Sequence, residues 1–141
     1  MCAHTHMSVN YNEAERMIED ILYNNDEMLA MSIMDMRGNI LAARSKESFK
    51  EPFEFLHKGG GYDGTLSVEM LSLVSRVRNV VGVAKAIITL HENCKLMLVP
   101  LPHSQILVGL ALRRSVCPQD YNIVNRIERL VASTLDQNAY S

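Results

Sequence analysis

The chain has no tryptophan, only three phenylalanines in 141 residues, and aromatic side chains make up just 6% of it. It also has no apolar run approaching the ~20 residues that a membrane-spanning helix needs, so membrane insertion is not expected. Cysteine is scarce as well. Cys2, Cys94 and Cys117 are an odd number with no paired spacing, which argues against a disulfide framework and points to a reducing cytoplasm. Neither sign of charge dominates: 14 Lys and Arg face 16 Asp and Glu, a formal net charge of −2. Such a balance creates no global field to draw nucleic acid or an anionic membrane. The opening Met-Cys-Ala-His-Thr-His-Met has no basic n-region and no apolar h-region, so it does not read as a secretory signal. Met7 is an alternative natural start, which would make residues 1–6 an extension.

What is present is an ordinary globular composition, 48% hydrophobic and 21% charged, at a length that fits one domain with its own core. The expected layout is a loose tail over 1–10, a domain over 11–136 and a frayed end over 137–141. From Asn12 the helical period appears, with Ala14, Met17, Ile18, Ile21 and Leu22 on one stripe. Asn12 and Glu15 have capping-box spacing, and Asn24-Asn25-Asp26 ends the helix by competing for its backbone. Leu29–Asp35 follows as a strand apolar on both faces, as a strand covered on both sides must be. Asp35-Met-Arg-Gly38-Asn39 then has the chemistry of a type I turn with a bulge, Gly38 taking the left-handed position. Ile40–Arg44 returns as the second strand.

Residues 45–64 are the least regular. Pro52 and Gly59-Gly60-Gly61 interrupt any single element, yet the segment holds all three phenylalanines, Phe49, Phe53 and Phe55. With Leu56 they suit docking on a core. A second helix is expected from Asp63–Thr65 to about Val80. Val68, Leu71, Val74, Val77 and Val81 form its apolar row, widened by Met70, Leu73 and Val80. A helix apolar around so much of its girth needs cover on more than one side, and in so small a domain a second subunit is the natural cover. Strands are expected at Lys85–Leu90, Lys95–Pro100 and Ile106–Leu112, the last apolar on both faces. Ser115 or Cys117 would cap a third helix with Pro118 in its first turn and a stripe of Ile123, Ile127, Leu130, Val131 and Thr134.

The resulting order, α-β-β-α-β-β-β-α with an Asp-x-x-Gly hairpin after the first helix, resembles the roadblock (dynein light chain) superfamily. The run Ala30-Met-Ser-Ile-Met-Asp-Met-Arg-Gly-Asn-Ile-Leu41 looks like the opening hairpin of small archaeal roadblock-like sensor proteins, and Leu96–Leu101 followed by Ile106–Val108 like their closing strands. The resemblance implies an α+β (α/β) fold, roadblock/profilin-like, with a five-stranded antiparallel sheet sandwiched by helices. It also implies a homodimer in which the second helices face each other and the third strands meet, serving as a protein-binding platform that often regulates small GTPases. The long 45–64 segment departs from that pattern. The expected interface residues are Met70, Leu73, Val74, Val77, Val80, Val81 and Ile87.

No residue set specifies a reaction. Gly59–Gly61 lacks the Gly-Lys-[Ser/Thr] of a phosphate loop and no strand precedes it, so it reads as a connection. His91 and Cys94, with His103, fall short of a zinc site for want of a second ligand pair. An N-terminal Cys2-Ala3-His4, with His6 nearby, has donors for Cu(II) or Ni(II) but reads as a tail. Arg113, Arg114, Arg126 and Arg129 are diluted by Asp120 and Glu128 and lack an aromatic platform beyond Tyr121. Met28, Met31, Met34 and Met36 read first as core. There is no G-x-S-x-G elbow, and convergence of His57, His91 and His103 is beyond what spacing shows. The expectation is therefore a non-enzymatic regulatory module needing no cofactor, metal or nucleic acid. The alternative is a sensor with a small-molecule pocket between the sheet and residues 45–64.

Overall fold

The computed structural model describes residues 11–54, 64–114 and 120–140. In chain order the elements are α1 (Tyr11–Asn24), β1 (Met28–Asp35), β2 (Ile40–Ser45), a 3-10 turn (Glu47–Phe49) and α2 (Lys50–Glu54). There follow α3 (Thr65–Ser75), α4 (Arg78–Val81), β3 (Ile87–Leu90), β4 (Lys95–Leu101), β5 (Ile106–Leu112) and α5 (Asp120–Tyr140). The five strands form one antiparallel sheet in the order β2-β1-β5-β4-β3. This is the expected α+β sandwich. Expected features over 1–10, 55–63 and 115–119, including the triple-glycine loop at 59–61 and the cap of the last helix, lie outside the described residues.

The sheet is covered unequally. On one face lie α1 and α5. The α1 stripe is buried throughout, with Ala14 and Ile18 fully enclosed, and it packs with Met31, Ile33, Val99 and Val108 of the sheet in one cluster. Each fully buried Ile or Val there contributes roughly 1.5–3 kcal/mol. The register slips between Met28 and Ala30, so Met28 joins Met31 on this same face. In α5 the buried stripe is Ile123, Val124, Ile127 and Val131, while Leu130 is exposed. The stripe thus keeps Ile123, Ile127 and Val131 of the expected one, with Val124 buried in place of Leu130.

Two boundaries also differ from expectation. Helix α1 begins before Asn12, which places Asn12 inside the first turn rather than at the cap. Glu15, the other half of the supposed capping box, instead meets Arg44 on β2 at 2.8 Å. At the other end the expectation holds: Asn25 donates its side-chain amide to the Ile21 carbonyl at 2.7 Å and closes the helix. The second departure is in the middle helix, which is broken into α3 and α4 near Val77.

On the opposite face lie the 3-10 turn, α2 and α3. Here a smaller cluster of Met34, Leu98 and Leu107 is joined by half-buried Ile40, Val68, Leu71 and Ile87. The centre of this face is made of small residues. Ala30 stands opposite Ala111, and Ser32 opposite Gly109, across the β1–β5 ladder. Helix α3 therefore bridges a shallow floor instead of interdigitating with large side chains.

Candidate functional site, an apolar helix face beside an edge strand

Helix α3 is anchored at its start by two glycines. Gly38, at the tip of the β1–β2 hairpin, and Gly64, the cap of α3, both have positive φ (91° and 94°). Their backbones touch so closely that a Cβ on Gly38 would stand 2.8 Å from the Gly64 carbonyl oxygen. The hairpin tip is itself tightly bonded. The Asp35 carboxylate accepts from the backbone of Arg37 at 2.8 Å and of Asn39 at 3.0 Å, and from the Asn39 side chain at 2.9 Å. Partial burial on its own raises the Asp35 pKa, but the Asn39 and Arg37 hydrogen bonds and the Arg37 charge outweigh it and hold the carboxyl below its ordinary value.

From that anchor α3 presents two sides. The inner one carries Val68, Met70 and Leu71 onto the Met34–Leu98–Leu107 cluster. The outer one is apolar and bare. Leu73 is 58% exposed, Val77 50%, Val80 85% and Val81 75%. Val83 extends the same exposed apolar character along the chain, and Ile88 and Leu90 are exposed too, on the face of the edge strand β3 opposite the inward Ile87. Exposed Glu69, Arg76, Arg78 and Lys85 are interspersed with them. Apolar residues set among charged ones have the anatomy of a protein contact surface.

The break in the helix belongs to this face. No Pro or Gly interrupts residues 65–81. Arg76 and Val77 instead donate to carbonyls three residues back, Leu73 and Val74, and α4 restarts from the Val77 carbonyl. The β-branched valines here have weak helix preference and little packing to offset it. The expected interface residues accordingly divide. Leu73, Val77, Val80 and Val81 are outward, Val74 is half-buried, and Met70 and Ile87 turn toward the sheet. Sequence reading omitted Val83, Ile88 and Leu90. Ile87-Ile88-Thr89-Leu90 is apolar at three of four positions, so no apolar/polar alternation marked which of them face outward.

Other candidates are placed differently. His91 and Cys94 flank the β3–β4 turn, whereas His103 lies in the β4–β5 turn. These are opposite ends of β4, roughly 20 Å apart at the usual rise per residue, so the three cannot share a metal. His91 instead contacts the Thr89 hydroxyl at 2.9 Å, and burial pushes the Cys94 thiol pKa up. No three His, Cys, Asp or Glu among the described residues come together to hold a metal ion. Arg113 donates to the Asp26 carbonyl at 2.9 Å, and Arg126 pairs with Glu27 at 3.1 Å. Two arginines of the supposed basic patch thus fasten β5 and α5 to the α1–β1 corner. Met28, Met31 and Met34 are core, whereas Met36 is exposed. Phe49 and Phe53 are half-buried over the α3 face of the sheet, lining a cavity there. No helix among the described residues is long and apolar enough to cross a membrane.

No family model matches the chain, and no curated protein matches it in sequence. Solved structures do match. The chain is similar to MglB of Myxococcus xanthus over 93% of its length and 96% of that chain, with a TM-score of 0.67 at 5% identity. A gliding protein MglB from Thermus thermophilus superposes with a TM-score of 0.65 at 14% identity, covering 90% of this chain and 91% of its own. A Roadblock/LC7 domain from Streptomyces avermitilis gives 0.57 at 8% identity, with 87% and 92% covered. At such identities the likeness is one of fold, and the fold is roadblock-like.

Proposed function

We propose that this chain is a non-enzymatic regulatory module that acts as a homodimer and docks a signalling protein, a small GTPase by the roadblock resemblance. In this reading α3 and α4 of two copies face each other, with the β3 edges alongside. The observation that carries it is the outward row Leu73, Val77, Val80 and Val81, which stays exposed in the single chain. Monomeric proteins rarely leave so much large apolar surface together. The similarity in fold to MglB and roadblock structures supports the reading. A cytoplasmic setting fits the cysteine usage.

The partner is tested by titrating the full chain against purified Ras-like GTPases loaded with GDP or with a non-hydrolysable GTP analogue. Binding that depends on the bound nucleotide is expected. No heat or mobility change with either form, across representatives of that class, would refute the GTPase assignment while leaving the dimer standing.

A further inference from the structure

Beneath α3, on the side away from the exposed face, the molecule holds a cavity of about 60 Å³. Its floor is the patch of small residues Ala30, Ser32, Gly109 and Ala111, and its roof is Phe49 and Phe53 with Ser67 and Met70 of α3. The emptiness is written into the sheet. A Cβ on Gly109 would meet the Ser32 hydroxyl at 2.7 Å and the Met34 methyl at 3.4 Å, so a side chain at this position would have to displace the Ser32 hydroxyl. On the other face the same two strands carry Met31, Ile33, Val108 and Leu110, which fill their space.

Two polar groups break the apolar lining. Ser32 is 8% and Ser67 4% exposed, one on the floor and one on the roof. Neither hydroxyl is hydrogen-bonded to another side chain or to backbone among the described residues. Buried hydroxyls without partners cost about 1–3 kcal/mol each, and natural proteins retain such groups where water or a ligand satisfies them. Among the described residues no Lys, Arg, His, Asp or Glu lines the cavity, so no described side chain would offset the desolvation of an ionised ligand.

We infer that this cavity is a binding site for a small neutral amphiphile, with an aliphatic body against Phe49, Phe53 and Met70 and one hydroxyl or carbonyl between Ser32 and Ser67. The volume sets the size. It is well under half of the roughly 150 Å³ of an apolar cavity that takes benzene, which leaves space for about two or three heavy atoms. Nucleotides, sugars and fatty acids are excluded by size. A ligand this small binds in the millimolar range, because so few atoms offset the entropy of association.

The test is an NMR titration of the full chain carrying 13C-methyl methionine, with Met34 and Met70 as reporters and ethanol, formate and methylammonium as probes. Saturable shifts at both methyls are expected with ethanol alone. Ser67→Ala should weaken that binding about five- to tenfold, and Ala111→Leu should abolish it by filling the floor. Ser67→Ala removes a single oxygen, so it reports even where Ala111→Leu fails to fold. Absence of saturation with ethanol overturns the proposal. Equal binding of formate, or unchanged affinity in Ser67→Ala, overturns the assigned chemistry. The reporters lie on the sheet side of α3, so the outcome is readable in a monomer or a dimer.

Discussion

Gly64 carries more of the structure than its position in an irregular segment suggests. It caps α3 at φ 94° and lies against the Gly38 carbonyl group, so Gly64→Ala should cost about 2–3 kcal/mol in chemical denaturation, from left-handed strain plus the displaced contact. Asp35 makes a separate, pH-dependent contribution. Its folded pKa lies below the ordinary 3.8, so its stabilisation is full above that value and is lost as pH falls through the folded pKa. Asp35→Ala should therefore lower stability by about 1 kcal/mol at neutral pH, with the gap to the wild type closing below pH 3.8. A gap that persists unchanged in acid would contradict the role of the ionised carboxylate. The two residues differ in legibility. Asp35-x-x-Gly38 is a local pattern, and the turn could be read directly from it. Gly64 serves a contact 26 residues away from Gly38, and no local spacing encodes that.

At the scale of elements, periodicity located every strand and the three principal helices, because alternation and helical stripes follow from burial. It was less able to place their edges. Strand β3 begins at Ile87 rather than Lys85, and the middle helix does not run unbroken to Val80. The reason is the same in both places: an element at the margin of the sheet has few tertiary contacts to extend it. The broad apolar girth of α3 and α4 was visible in sequence, but which residues face the sheet was not. Met70 and Ile87 pack inward, so they are poor choices for testing an interface. Val77 and Val80 are better, since a charge at either is solvated in a monomer and must be buried, unpaired, in the proposed dimer. The double variant Val77→Glu/Val80→Glu should keep the wild-type circular dichroism spectrum while weakening self-association by at least about tenfold. A variant that self-associates like the wild type would place the interface elsewhere.

Over the whole molecule, the sheet separates two kinds of packing. The α1–α5 side is a filled core, made from the stripes that sequence shows most clearly. The α3 side has a floor of Ala, Ser and Gly, a cavity under the helix and an apolar surface above it. The small-residue floor is legible only once the strands are registered, because Ala30 and Ala111 are 81 residues apart and meet through the β1–β5 ladder. Evidence for function therefore concentrates on the side where the chain alone does not complete its packing. The central claim is that a second copy completes it. Light scattering on the size-separated wild-type chain at micromolar concentration measures this directly. A mass of twice the 15.9 kDa chain is expected, and a mass of one chain at that concentration would contradict the claim.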